Sequence, residues 1–85
     1  MPSNEEIIKQ MNEIFRDVLD NEDIVINEST TADDVAEWDS LSHIQLVVAI
    51  EKHFRIRFTT SEVTSYKNVG EMAEGIRKKL AAGSL

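Results

Sequence analysis

The chain has 85 residues, of which 16 are acidic and 9 basic, and its formal net charge is −7. This length predicts one small domain, residues 1–85, with a modest core, and the absence of cysteine excludes disulfides, thiolate metal sites and thiol nucleophiles. The acidity argues against nucleic acid as a partner. With no signal-peptide pattern and no apolar stretch near the ~20 residues that span a bilayer, we expect a cytoplasmic protein without membrane insertion. A monomer is the default expectation for so small and acidic a domain.

The first predicted helix runs from about Ser3 to about Asp20. Ser3 and Glu6 have the spacing of a capping box, and apolar residues then recur at three- and four-residue steps: Ile7, Ile8, Met11, Ile14, Phe15, Val18 and Leu19. From Asp20 to Asp39 this period is lost. The segment therefore predicts a long loop, packed onto the helices by its isolated apolar residues: Ile24, Val25, Ile26, Val35 and Trp38.

The second predicted helix runs from Ser40 to about Phe54, with Asp39 as its N-cap. On a helical wheel one apolar arc suits a core: His43, Leu46, Val47, Ile50 and Phe54. A second strip follows with Leu41, Ile44 and Val48. Two readings of this strip stay open, because it is either buried under the long loop or exposed as an edge where a partner or ligand docks.

The remaining chain predicts two further helices. Ile56 and Phe58 alternate with arginines in an extended connector, and Thr59 with Glu62 caps a short helix through about Ser65. The last helix begins near Asn68 and carries an apolar stripe of Val69, Met72, Ala73, Ile76 and Leu80. Residues 81–85 are expected to fray or to be a remnant of cloning. The predicted fold is all-α, a small four-helix bundle of three long helices and one short helix, with a long loop between the first two.

The junction Trp38-Asp39-Ser40-Leu41 opens a strongly apolar helix after an acidic loop. The run DSLSHIQLVVAIEKHF resembles the prosthetic-group segment of the acyl carrier protein family, and the matching spacing of loop and helices covers nearly the whole chain. The resemblance implies covalent attachment of phosphopantetheine to Ser40, flanked by Asp39 and Leu41. A phosphopantetheinyl transferase would donate the group from coenzyme A, and the chain would carry acyl thioesters without being an enzyme itself.

The same resemblance implies where partners bind. Leu41, Ile44 and Val48 match positions that face partners or the acyl chain, and Asp34, Glu37 and Asp39 supply acidic contacts. The partners would be the transferase and acyl-loading or acyl-processing enzymes, such as a ligase, a ketosynthase or an acyltransferase. A groove for the acyl chain is expected between the second, third and fourth helices, lined by Leu46, Ile50, Val63, Val69 and Ile76.

One departure from the family bears on the pathway. Carriers of primary fatty acid synthesis usually show several acidic residues on the exposed face of the second helix, whereas here only Glu51 is acidic; the other residues assigned to that face or just beyond it are Ser42, His43, Gln45, Lys52, His53, Arg55 and Arg57. This departure favours a carrier for a polyketide-like, lipid-modification or another specialised acyl or lipid pathway, and fatty acid synthesis stays open. An aminoacyl or peptidyl carrier is disfavoured by Asp39 before the serine, and a helical adapter without the prosthetic group is the remaining alternative.

Other groups of polar residues give weaker indications of function. His43 and His53 lie ten residues apart with no clustered ligands, which favours edge or surface histidines over a metal site. The acidic segment at residues 20–23 lacks the glycine and the alternating ligands of a calcium loop. No set of nucleophile, base and orienting residue is present, so no catalytic residue is predicted.

Overall fold

A computed structural model describes residues 3–82 of the chain. Within that range it is all-helical, with three long helices, one short helix and a long loop between the first two, as predicted. The loop also contains a short 3₁₀ turn, Ala32–Asp34. No helix among the described residues is long and apolar enough to cross a membrane. The helices are α1 (Asn4–Val18), α2 (Ser40–Phe54), α3 (Thr60–Ser65) and α4 (Val69–Ala81).

Each helix begins at a residue whose side chain accepts a hydrogen bond from the backbone N–H three positions later. This satisfies one of the donors that a helix start leaves without an intrahelical partner. The predicted starts are confirmed, with N-caps at Ser3, Asp39, Thr59 and Asn68. The first helix ends slightly earlier than predicted, since Leu19 is its C-cap and Asp20 turns the chain with a φ of 52°.

The core forms where α1 packs against α2 and α4. Its largest fully buried side chains come from these helices and from the connector after α2: Ile7, Met11, Phe15, Leu46, Ile50, Ile56, Val69, Met72 and Ile76. The predicted stripes of α1 and α4 therefore face one another, with Val18 and Leu80 partly buried at the margin. Burial of these apolar surfaces is the main force that holds the bundle together.

The long loop is packed onto α1 by its apolar residues and by polar side chains of the helix. Ile24, Ile26, Val35 and Trp38 are buried as expected. Val25 is not, because alternation in this extended segment turns it outward. The Asn12 amide donates to the carbonyl of Ile26 at 3.2 Å and accepts from its N–H at 2.7 Å. The Asn12 side chain thus satisfies the backbone N–H and carbonyl of Ile26, which in a sheet would pair with a neighbouring strand.

The loop also meets the start of α4. The N–H of Val69 donates to the carbonyl of Thr30 at 2.9 Å, and the N–H of Gly70 donates to the carbonyl of Glu28 at 2.8 Å. A β-carbon at Gly70 would lie 2.7 Å from that Glu28 oxygen, so glycine permits the close approach. At the other end of α4, Ala81 is helical; residues 83–85 of the predicted frayed tail lie outside the described range.

Candidate functional site

Ser40 is the first residue of α2 and is exposed. Its hydroxyl has no hydrogen-bond partner among residues 3–82. At the start of a helix the free N–H groups and the positive end of the dipole favour an anion. The serine hydroxyl is therefore accessible, chemically unengaged and placed where a phosphodiester would be stabilised.

The backbone at Ser40 is held by a reciprocal cap between Asp39 and Ser42. The N–H of Ser42 donates to Asp39 Oδ1 at 2.9 Å, and the N–H of Asp39 donates to Ser42 Oγ at 2.7 Å. Ser42 Oγ also donates to the carbonyl of Glu37 at 2.8 Å. The hydrogen bond from the Ser42 backbone, followed by that from its side chain, lowers the pKa of Asp39 below its ordinary value. Asp39 thus stays charged while it orients the first turn.

This role of Ser42 differs from the prediction, which placed it on the exposed face of the helix. Ser42 is buried, at 8% exposure. The signal that was present in the sequence is its position three residues after the N-cap, where a reciprocal capping partner sits. Serine is shorter than the glutamate usually found there, so the pattern was not recognised.

Trp38 and His43 connect the long loop with α1, α2 and α3 beside Ser40. The Trp38 ring is buried against the edge of Phe15, with ring centroids 5.0 Å apart. Its Nε1–H donates to His43 Nδ1 at 3.0 Å, and His43 Nε2 lies 3.4 Å from the carbonyl of Val63 in α3. The partly buried His43 is thus an edge histidine, as expected, and it links the loop before Ser40 to the short helix.

A cleft of about 750 Å³ opens directly beside Ser40. It lies between α2 and α3, and its walls are mostly apolar, with polar groups at intervals. The residues that line it are Ala32, Trp38, Asp39, Ser40, His43, Ile44, Val47, Val48, Glu51, Phe58, Thr60, Val63, Thr64, Tyr66 and Lys67. A flexible group attached at Ser40 has apolar surface within immediate reach.

The groove predicted from the sequence for the acyl chain and this cleft have different linings. Of the five residues predicted for the groove only Val63 lines the cleft. Leu46, Ile50, Val69 and Ile76 are fully buried in the core that α1 completes. A helical wheel shows that such residues point inward but not whether another helix already covers them. Phe58 and Tyr66, whose ring centroids lie 5.8 Å apart, also line the cleft, and the sequence did not predict them there.

The apolar strip on α2 is exposed, which confirms one of the two readings and excludes burial under the loop. Leu41, Ile44 and Val48 are 68%, 60% and 43% exposed. The loop does not cover them because its buried residues belong to the core cluster of α1. Such large apolar side chains in one row along a helix form a surface suited to contact with another protein.

The two loop acids proposed to contact partners are exposed on the approach to α2. Asp34 accepts from the N–H of Thr31 at 2.9 Å, and Glu37 accepts from the Asn21 amide at 2.7 Å. Both carboxylates therefore organise the loop while they remain open to solvent. Within the described part of the chain, no cluster of histidine and carboxylate side chains forms a metal site.

Comparison with known proteins agrees with this geometry. Residues 9–76 match the family model described as a phosphopantetheine attachment site. The fold and site thus define a small helical carrier that bears a covalently attached phosphopantetheine and is not itself an enzyme.

The matches to known acyl carrier proteins cover most of this chain and most of each relative. The acyl carrier protein of Acidothermus cellulolyticus is 36% identical over 76 residues, covering 87% of this chain and 88% of the relative. That of Clostridium perfringens is 34% identical over 68 residues, covering 79% and 88%. The solution structure of holo acyl carrier protein from Geobacter metallireducens superposes with a TM-score of 0.85 at 42% identity, covering 91% of this chain and 88% of that one. These matches show that the chain belongs to the acyl carrier protein family.

Proposed function

We propose that Ser40 is the attachment point of the phosphopantetheine. The observation that supports this is a solvent-exposed hydroxyl at the N-terminus of α2, next to an apolar cleft, that has no hydrogen-bond partner among residues 3–82. The neighbouring Ser42 is unsuited, because its hydroxyl is buried and hydrogen-bonded. The residues present therefore fit the prosthetic group at one position of this turn.

In the attachment reaction the Ser40 oxygen forms a bond to the phosphorus that carries the pantetheine arm of coenzyme A. The pyrophosphate bond breaks, adenosine 3′,5′-bisphosphate leaves, and the hydroxyl proton passes to a base of the transferase. The N-terminal dipole of α2 stabilises the resulting negative phosphodiester. When attached, the group supplies a thiol that holds acyl chains as thioesters, which a chain without cysteine otherwise lacks.

We also propose that the cleft shelters part of the acyl chain. Its apolar members Val47, Phe58 and Val63 face the space beside Ser40. Burial of a methylene group from water contributes about 0.8 kcal/mol. The sheltered cargo would be withdrawn from hydrolysis while the carrier moves between enzymes.

Partner enzymes are proposed to contact the start of α2. Leu41, Ile44 and Val48 provide exposed apolar surface, with Leu41 directly next to the attachment residue. Asp34, Glu37 and Asp39 place negative charge on the same approach, where it would guide a basic rim around an active-site entrance.

The attachment residue is tested by intact mass after incubation of the apo protein with coenzyme A and a broad-specificity phosphopantetheinyl transferase. Wild type gains one phosphopantetheinyl group and Ser40→Ala gains none. Ser61→Ala, which removes an exposed serine from the first turn of α3, is the matched control and is modified normally. Unmodified wild type would instead favour the helical adapter, and modified Ser40→Ala would place the group elsewhere.

The pathway is proposed to be a dedicated acyl or lipid route rather than primary fatty acid synthesis. The support is α2 itself, whose one acidic residue, Glu51, accepts from the N–H of Phe58 at 2.8 Å. Co-expression with the enzymes encoded beside this chain, followed by intact mass, identifies the cargo. An acyl adduct other than an intermediate of fatty acid elongation supports the proposal, and an elongation intermediate contradicts it. An aminoacyl adduct supports the peptidyl-carrier alternative. Placement of residues 1–85 in one domain, the monomeric state and the cytoplasmic location remain predictions from sequence.

A further inference from the structure

The exposed row on α2 continues past its apolar part into positive charge. Lys52 lies one turn beyond Val48, and Arg55 lies three residues further, just past the end of the helix. At about 100° per residue Lys52 falls on the face that Leu41 and Ile44 begin, and Arg55, the C-cap with a φ of 58°, follows at the end of the helix. The face therefore reads as apolar near Ser40 and cationic at its far end.

These cations are available to a partner. Lys52 and Arg55 are exposed, and among residues 3–82 neither side chain makes an ion pair or a hydrogen bond. The ion pairs in that range join other residues, Arg77 with Glu74 and Lys79 with Glu62.

The nearest acid on this face does not cancel the charge by a direct pair. Glu51 directs Oε2 to the N–H of Phe58 at 2.8 Å, in the connector after the helix. It also lines the cleft. The acids of the loop are at the opposite end of α2, where Asp39 forms the N-cap. The docking face thus has opposite charges at its two ends.

We infer that α2 docks on the enzyme that loads the acyl group, and that this enzyme carries acidic side chains at a distance from its active-site entrance. With a rise of 1.5 Å per residue, Lys52 lies about 18 Å and Arg55 about 22 Å along the axis from Ser40. On the enzyme, the acidic side chains would lie about 18–22 Å from the entrance that admits the phosphopantetheine arm. An apolar depression that accepts Ile44 and Val48 would lie between them and the entrance. The identity of the occupant as a loading enzyme rests on the proposed function; the charge requirement rests on the described surface.

A defined probe tests the charge requirement without any enzyme. Two synthetic amphipathic helical peptides carry the same three leucines on one helix face. They differ only at one end, where one peptide has two glutamates and the other has two lysines. In amide NMR titrations of the apo protein we expect the glutamate peptide to shift Leu41, Ile44 and Val48 and to bind about tenfold more tightly. Equal affinities, tighter binding of the lysine peptide, binding of neither, or shifts on other helices would overturn the inference.

A charge-reversed pair of variants localises the effect. Lys52→Glu with Arg55→Glu should abolish the preference for the glutamate peptide. Lys9→Glu with Lys78→Glu changes the net charge equally on exposed positions of α1 and α4 and should preserve it. Loss of the preference in both double variants would mean that only net charge matters and would refute a specific docking face.

Loading kinetics of the holo protein then test the partner. With the loading enzyme encoded beside this chain, the first double variant should lower kcat/KM about tenfold, leave kcat unchanged and weaken the salt dependence of the rate. An unchanged or increased kcat/KM would overturn the inference. Failure of the proposed function is distinguishable from failure of this inference. A chain that gains no phosphopantetheine cannot be used in the loading assay, but the peptide titration of the apo protein still tests the charge requirement.

Discussion

Replacement of Ser42 by alanine removes the side chain that locks the first turn of α2. The substitution leaves the N–H of Asp39 and the carbonyl of Glu37 without the oxygen that now joins them, at 2.7 and 2.8 Å. Partly buried polar groups that lose their partner cost about 1–3 kcal/mol. The better helix propensity of alanine returns roughly 0.5 kcal/mol.

The expected net loss for Ser42→Ala is therefore about 1–2 kcal/mol of unfolding free energy. For a domain of 60–100 residues this corresponds to a Tm lower by about 5–15 °C, measured by far-ultraviolet circular dichroism of the apo protein. Conversion to the holo form by the transferase should become slower, because Ser40 is then carried by a less ordered turn.

Ser40→Ala is the matched control, the same substitution two residues earlier. The Ser40 hydroxyl is exposed and has no hydrogen-bond partner in the described part of the chain, so the change in unfolding free energy should stay within about 0.5 kcal/mol. An unchanged Tm for Ser42→Ala would refute the assigned role of the lock. An equal loss for both variants would show that Ser40 is structural and would weaken its proposed role as the attachment residue.

Three further predictions address the loop, the docking strip and the cap. Gly70→Ala should lower the Tm although alanine favours helices, because its β-carbon would lie 2.7 Å from the Glu28 carbonyl oxygen. We expect thermal unfolding to show a free energy of unfolding lower by about 1–3 kcal/mol. A higher Tm would contradict the close approach. Ile44→Glu should leave the Tm nearly unchanged, since the side chain is 60% exposed, and should raise the KM of acyl loading; a fall of several degrees would indicate burial. Asp39 has a lowered pKa, so its charge stabilises the fold fully above the unfolded value of 3.8 and this contribution disappears as the pH falls through the lower folded value. The Tm difference between wild type and Asp39→Asn, measured across that range, should therefore shrink towards acid pH, and a constant difference would refute the assignment.

Much of the fold follows from local signals. The helix starts were predicted from residues that cap, because Ser3, Asp39, Thr59 and Asn68 satisfy donors within their own first turn. The apolar stripes of α1 and α4 were predicted because a repeat of three and four residues places side chains on one face. These features depend on neighbours within a few positions, which the sequence displays directly.

The cleft was harder to predict, since it depends on which inward faces are already covered. Leu46 and Ile50 belong to the same helix face as Val47, yet only Val47 lines the cleft. The difference arises because α1 covers the first two residues while the short α3 leaves space beside the third. The link from Trp38 through His43 to the carbonyl of Val63 likewise joins segments that are separate in sequence.

The order of helices, their caps and the placement of Ser40 at the start of an apolar helix were determined by the sequence itself, because they arise from periodicity and from side chains next to their backbone partners. Tertiary structure alone decided that the strip from Leu41 to Val48 is exposed and that the cleft opens beside Ser40. Both depend on where the long loop is packed, and that loop is held by α1 and α4, far from the site in sequence. Whether a side chain is exposed depends on which segments pack over it, and those segments can be distant in sequence.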